Sequence, residues 1–352
     1  MKVTEKMGVS LRDTTITTGD PVFLDVKKEP FDLYGTCGDG FCRVPEDVAR
    51  ATSADVERIG KMTPGVRVRF KTNSDYIVVH AHSSLIEPGG LLSLSVRASF
   101  DMYEYDGEKF GFLGTFVPSQ GDDKDYIECR IRLDGKMRDL VLDFPICSQV
   151  TEFYIALRNG SELEHGSKYK YTTPAVFYGS SIVHGIGAGR PGMNYPAIIS
   201  RIYNTDIRNF GFGGAAKGEP AIIDYMAGLD MSVFVYDYDH NAPSADFLRD
   251  THYAGYKRFR TKRPDVPIVL ASKVDYYSSP EANEVRRRII IDTFNRAKSE
   301  GDKLIEFVDG CEIYDKDYRA ELTIDNCHPN DGGYVAMAKA FGKVIEKYIC
   351  IK

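Results

Sequence analysis

The sequence predicts a two-part chain. A β-sandwich, jelly-roll-like domain is expected over residues 1–172, and an α/β domain with a mainly parallel sheet flanked by helices over 173–352. Two observations carry this. Before about residue 172, short stretches alternate apolar with polar residues and are punctuated by Gly, Asp and Asn, as half-buried antiparallel strands are. After "KYKYTTP", apolar runs of strand length alternate with segments whose apolar residues recur at helical spacing.

In the first part the strand candidates are 66–72, 76–83, 91–107, 126–133 and 153–160, with turns at "EPGG", "SQGDD" and "LDGK". A helical turn or two is expected within 46–62. Many short strands without long helical patterns suggest a sandwich. His80 and His82 fall on one face of a strand, the spacing of a metal pair, but no third ligand lies nearby in the sequence. A polar strand face is therefore the expectation there.

In the second part the strand candidates are Ala175–Tyr178, Asp206–Phe210, Ser232–Tyr238, Val266–Ser272 and Leu304–Val308. Between them, Tyr195, Ile198, Ile199 and Ile202 mark one apolar stripe, and Val285, Ile289 and Phe294 another. The last helix is the clearest, with Tyr334, Met337, Ala338, Phe341, Ile345 and Tyr348 on one face. "RRRIII" (286–291) reads as a helix with one wet and one buried side. In parallel sheets of this kind, ligands bind beyond the carboxyl ends of the strands.

The totals exclude several classes. The chain has 352 residues, 43% hydrophobic and 27% charged, an ordinary globular balance. A net charge of -6 without a basic tract argues against nucleic acid as a partner. The first residues lack the apolar core of a signal peptide and no run reaches membrane-spanning length, so a cytoplasmic protein is expected. Seven scattered cysteines without a CxxC pair suit reduced structural thiols.

"VFYGSSIVHG" (176–185) ends the first of these strands in a tight turn with two serines. Such a turn can hold out a nucleophile, although a serine-rich turn is more often only a turn. If Ser181 is the nucleophile, it needs a base, an orienting group and oxyanion donors at the same sheet edge. "TIDNCHPNDGGY" supplies Asp325 three residues before His328, on a loop that Pro329 keeps out of helical geometry. A carboxylate so placed can reach Nδ1 and fix the tautomer. "NFGFGGAAKG" follows the second strand, and the Gly214 N–H is a candidate oxyanion donor, the alternatives being a flexible turn or a phosphate loop. "YDYDHNAP" follows the third, where Asn241 is either a side-chain donor or an ordinary turn residue.

Taken in order, these blocks resemble those of the SGNH (GDSL-type) hydrolase superfamily over about 173–350. "YGSSIVHG", "NFGFGG", "DYDHN" and "DNCHP" stand for its four blocks. The resemblance implies a flavodoxin-like three-layer α/β/α domain, Ser181 as nucleophile, His328 as base and Asp325 as its orienting carboxylate. It also implies an oxyanion hole from the Ser181 and Gly214 N–H groups and the Asn241 side chain. Two departures stand out: Gly-Asp-Ser reads Gly179-Ser180-Ser181, and the third block lacks its glycine and trailing aspartate. "FDLYG" (31–35) resembles the GxDLY module found ahead of SGNH domains, without its glycine.

A β-sandwich before such a domain resembles bacterial carbohydrate esterases that remove acetyl groups. The expected activity is therefore hydrolysis of short-chain, chiefly acetyl, esters of a small molecule or oligosaccharide through an acyl-enzyme. No metal or cofactor is required, and no nucleic-acid or membrane partner is expected. A homo-oligomer is left open. His240, Tyr276 and Tyr277 are candidate substrate contacts, and His184 lies in the first block. The rivals are an acyltransferase with the same site, a catalytically inactive glycan-binding protein, and a phosphate- or nucleotide-binding domain, the last disfavoured because no P-loop or Rossmann spacing is present.

Overall fold

The computed structural model describes residues 1–85, 92–118 and 126–350. "EPGG", "SQGDD" and Leu91 lie outside them. Two compact units are present. Unit 1 comprises Met1–Arg43, Lys61–Lys168 and Arg190–Gly192, and unit 2 comprises Val44–Gly60, Tyr169–Gly189 and Met193–Lys352. Residues 44–60, part of the early sequence, thus belong to unit 2. They form α1 (Glu46–Thr52) and α2 (Ala54–Ile59), the second capped by Ser53 Oγ, which accepts from the Val56 N–H.

Unit 1 is built from β1 (Pro21–Asp25), β2 (Asp32–Tyr34), β3 (Arg67–Thr72), β4 (Tyr76–Leu85), β5 (Phe100–Tyr105), β6 (Phe110–Phe116), β7 (Tyr126–Arg132), β8 (Arg138–Asp143), β9 (Ser148–Arg158) and β10 (Leu163–His165). One antiparallel sheet runs β1-β9-β4-β7, and the other β10-β3-β8-β5-β6 with β2 beside β3. Alternation sends Ile77 and Val79 of β4 and Phe153 and Ile155 of β9 into the same core as Val68 of β3, Phe100 of β5 and Leu142 of β8. The rings of Phe100 and Phe153 stack at 4.7 Å.

The expected strand over 91–107 needs correction. Its first half forms a helical turn, α3 (Leu94–Arg97), and only Phe100–Tyr105 is strand. The Arg97 and Ala98 N–H groups donate back to the Ser93 and Leu94 carbonyls, so the backbone is satisfied within the turn. An apolar–polar alternation four residues long does not distinguish such a turn from a strand.

Unit 2 contains one parallel sheet of β11 (Tyr171–Gly179), β12 (Thr205–Gly211), β13 (Val233–Asp237), β14 (Ile268–Ala271) and β15 (Ile305–Val308), in the order β12-β11-β13-β14-β15. Counted within the unit this is 2-1-3-4-5, the flavodoxin-like order, which puts the topological switch point beside β11. Besides α1 and α2, its helices are α4 (Ser181–His184), α5 (Tyr195–Tyr203), α6 (Pro220–Ala227), α7 (Ala245–Lys262), α8 (Pro280–Ser299) and α9 (Asp331–Ile349). α5 packs with α9, Tyr195 lying 4.8 Å from Phe341, whereas α7 packs with both α6 and α8. Among the described residues no helix is long and apolar enough to cross a membrane.

The α9 stripe is buried as expected from Tyr334 to Ile345, while Tyr348 is half-buried and donates its hydroxyl to Glu306. Two other positions depart from expectation: Ile202 and Val285 are exposed. α8 instead buries Asn283, Ile289, Ile290, Thr293 and Ala297. Hydropathy misreads this face because two of its members are polar yet paired, Asn283 with the Tyr276 carbonyl and Thr293 with His252 Nδ1.

Asp237 ends β13 fully inside the protein, where burial pushes its pKa up to about 8. The Tyr195 hydroxyl, donating at 3.0 Å, pulls against this, and the nearby Asp239 charge adds to it. A folded-state pKa above the unfolded value of about 4 means that the folded form holds the proton more tightly. This group's contribution to stability is therefore full below about pH 4 and declines as the pH rises to about 8. Asp237→Asn keeps an acceptor for Tyr195 and should flatten that decline. Thermal melts at pH 5 and pH 8 check it, and a variant as pH-dependent as the parent would refute it.

Candidate active site

The site grows from close backbone contacts at the carboxyl edge of the parallel sheet. Gly179 ends β11 so near β13 that an added methyl would overlap the Asp237 carbonyl oxygen and the Val183 side chain. Gly211 ends β12 equally close to the His184 backbone nitrogen. α4 is thereby pressed onto the edge of the sheet, and its first residue is Ser181. Ser180 is buried and caps this turn, its hydroxyl accepting from the Ile182 N–H at 3.2 Å.

Across from it, the loop before α9 presents His328. Ser181 Oγ lies 2.9 Å from His328 Nε2, and His328 Nδ1 lies 2.7 Å from Asp325 Oδ2. The other Asp325 oxygen accepts from the His328 and Cys327 N–H groups at 2.7 and 3.0 Å. Burial works to raise the Asp325 pKa, but these bonds and the imidazole hold it below the usual carboxylate range. An ionised carboxylate only accepts, so the imidazole proton sits on Nδ1 and Nε2 is left to accept from the serine hydroxyl. Pro329 is followed by Asn330, whose side chain caps α9 by accepting from the Gly333 N–H.

Gly214 and Asn241 also meet. Asn241 Oδ1 accepts from the Gly214 N–H at 3.1 Å, and Asn241 Nδ2 donates to the Phe212 carbonyl at 2.8 Å. Turning the amide over would oppose donor to donor and acceptor to acceptor, so its orientation is set. The Gly214 N–H is therefore engaged by Asn241, not directed with it at a common point. The second Nδ2 hydrogen has no part in these two bonds, and the Ser181 N–H, at the start of a helix, has no intrahelical acceptor. Gly213 also borders Ser181: a methyl there would sit 3.5 Å from Ser181 Cβ.

Two family profiles match the sequence. The GDSL-like lipase/acylhydrolase family matches residues 172–346, and the GxDLY profile, described as the N-terminus of SGNH-hydrolase-type esterases, matches 22–163. The chain belongs to the SGNH (GDSL-type) hydrolases.

Solved structures share the SGNH hydrolase's fold along most of its length. A protein described as a GDSL-like lipase from Bacteroides ovatus is 24% identical, with a TM-score of 0.83 over 95% of this chain and 99% of its own. A salicylyl-acyltransferase from a tetracycline biosynthetic pathway is 19% identical, with a TM-score of 0.76 over 93% and 97%. A family two carbohydrate esterase from Clostridium thermocellum, in complex with cellohexaose, is 15% identical, with a TM-score of 0.58 over 81% and 92%. No curated protein sequence matches the chain.

The departures of this SGNH hydrolase from its family's blocks have local explanations. Ser180 stands where the family has Asp, and both residue types cap helices. In the third block, Asp239–Asn241 form a 3₁₀ turn held from outside by Arg286. Its Nε donates to the buried Asp239 carboxylate at 2.8 Å, and its second nitrogen to the Asp239 and Ala242 carbonyls. Arg286 is the first residue of "RRRIII", which sequence reasoning read only as a helix face.

His240 does not present an open ring to substrate. Its side chain is 4% exposed and its Nε2 lies 2.9 Å from Asp275 Oδ1. Burial works to raise the Asp275 pKa, but His240, Lys273 and Ser278 hold it well below the usual carboxylate range. Cys327 lies against the same carboxylate, and burial together with the Asp275 charge pushes its thiol up to about 12. It therefore stays a thiol. Asp275 thus joins the loop of Asn241 to the loop of His328, a link missed because "SKVDYYSS" drew attention to its tyrosines. Tyr276 and Tyr277 are half-buried and meet edge to face at 5.1 Å, the Tyr276 hydroxyl donating to Glu284. His184 is buried.

Proposed function

We propose that this SGNH hydrolase is a serine esterase that cleaves short-chain esters, acetyl esters of carbohydrates first among them. The observation that carries the reading is the continuous chain from Ser181 Oγ through the His328 imidazole to Asp325. His328 takes the serine proton as Oγ attacks the ester carbonyl. The imidazolium is stabilised by Asp325 and returns the proton to the leaving alcohol, and water repeats the cycle on the acyl-enzyme. The Ser181 N–H and the free Asn241 Nδ2 hydrogen are the proposed oxyanion donors, joined by Gly214 once its N–H leaves Asn241. The carbohydrate preference is supported by the esterases of the same fold, one of them holding cellohexaose. Cytoplasmic residence is part of the proposal, since all seven cysteines are free and would stay reduced there.

The test is acetate release from p-nitrophenyl acetate and from acetylated oligosaccharides, with and without a non-acetylated hydroxyl acceptor. Hydrolysis that ignores the acceptor supports the esterase. The acyltransferase reading has one observation in its favour, a fold neighbour of that activity covering 93% of the chain, and it predicts acyl product on the acceptor at the expense of acetate. Asn241→Ala should lower kcat by about 10²- to 10³-fold with KM little changed, because the donor it removes matters most in the transition state. An unchanged kcat removes Asn241 from the oxyanion hole.

A further inference from the structure

Unit 1 holds a second cluster of ligating side chains, on the face of β4 turned away from the core. Ile77, Val79 and Ala81 point inward, whereas Tyr76 and Val78 join an outer cluster covered by Val9, Leu11 and Ile16 of the N-terminal arm. His80 and His82 continue this outer row. The arm carries Asp13 over both imidazoles: Asp13 Oδ2 lies 2.9 Å from His82 Nε2, and Oδ1 lies 3.5 Å from His80 Nε2.

The His80 ring is fully buried, stacked at 4.7 Å on Tyr126. Its Nδ1 lies 3.0 Å from Glu128 Oε1, on the neighbouring β7. Glu128 is held by the Thr14 and Thr15 hydroxyls and the Thr15 N–H, so as a carboxylate it takes the Nδ1 proton of His80. That leaves the His80 Nε2 lone pair facing the Asp13 carboxylate, and this buried atom has no hydrogen-bond partner. Two acceptors turned toward each other inside a protein call for a cation between them.

We propose that Asp13, His80 and His82 form a binding site for a divalent transition-metal ion of the zinc class. The ligands are Nε2 of each imidazole and an Asp13 oxygen, all within 4.8 Å of one another. Zinc bonds of about 2.0–2.2 Å at tetrahedral angles put ligand atoms roughly 3.3 Å apart, and the spacings of 2.9 Å from His82 to Oδ2 and 3.5 Å from His80 to Oδ1 lie either side of that. Two imidazoles and a carboxylate suit zinc, and Glu128 behind His80 is the outer carboxylate that orients a metal-binding histidine. The bound ion clamps the arm to the sheet. Sequence reasoning found the histidine pair but not Asp13, which comes from a remote segment.

The full chain, stripped with a chelator, is titrated with Co²⁺ and then competed with Zn²⁺. One equivalent is expected to bind with the visible absorption of four-coordinate cobalt and no thiolate charge-transfer band. Zn²⁺ should also raise the melting temperature of the parent protein. Asp13→Asn and His82→Gln, both at partly exposed positions, should each weaken binding at least tenfold and abolish the Zn²⁺ shift, while ester hydrolysis is unchanged. No saturable binding overturns the proposal and leaves the cluster as a contact between the arm and the sheet. Binding that both variants retain overturns it too. So does a thiolate band lost in Cys327→Ser, which assigns the metal to His240, Asp275 and Cys327.

Discussion

Ser181→Ala is expected to remove ester hydrolysis and fluorophosphonate labelling together, with kcat falling by at least about 10⁴-fold. The size follows from the geometry. The serine hydroxyl is the group 2.9 Å from His328 Nε2, and without it the base has no hydroxyl to deprotonate at that position. Binding should survive, because the truncation removes one oxygen at the end of a rigid turn. Asp325→Asn should be less severe at first sight, since an amide oxygen still accepts from the His328 N–H. With that oxygen kept on the backbone N–H groups, however, the amide NH2 faces His328 Nδ1 and cannot accept its proton, and the wrong tautomer costs about 10⁴-fold where this has been measured in such triads. Intact mass after labelling, measured beside acetate release, separates the cases. Parent protein that gains one adduct and loses it in Ser181→Ala establishes the nucleophile. Labelling that persists in the variant assigns the reaction to another residue.

Gly179→Ala is the substitution with the largest expected effect on stability. A methyl at 179 has nowhere to go: it meets the Asp237 carbonyl of the adjacent strand and the Val183 side chain of α4. Backbone oxygen does not give way as the end of a flexible side chain does, so β11 must part from β13 or α4 must lift. A cost of at least about 3 kcal/mol is expected, and a fall in Tm of roughly 6–12 °C for a unit of this size. Gly214→Ala is the control. Its φ of +72° is strained for alanine, but the space around it is open, so a loss of only about 1 kcal/mol is expected. Equal melting temperatures for the two variants would show that the crowding at Gly179 is relieved at little cost.

Legibility in the sequence followed the range of the interactions involved. The β11 and α9 patterns were readable because each element's burial repeats along its own residues. That Ser181, Asp325 and His328 come together was readable because a serine turn at a strand end and a Dxx-His loop are local arrangements, and because the order of the blocks resembled a family. The buried face of α8 was not, since Asn283 and Thr293 look solvent-facing until their partners are known. Nor was the role of Arg286, whose contacts lie on a loop far earlier in the chain.

The residues alone determined the division into an antiparallel β part and a parallel α/β part, the strand ends that carry the site, and the chemical types gathered there. Tertiary structure alone decided how those groups pair. It turned the Asn241 amide toward Gly214, buried His240 against Asp275, and brought Asp13 onto His80 and His82. The reason is physical: periodicity and turn chemistry act between near neighbours, whereas a hydrogen bond or a ligand set needs distances and directions that only the packed chain supplies.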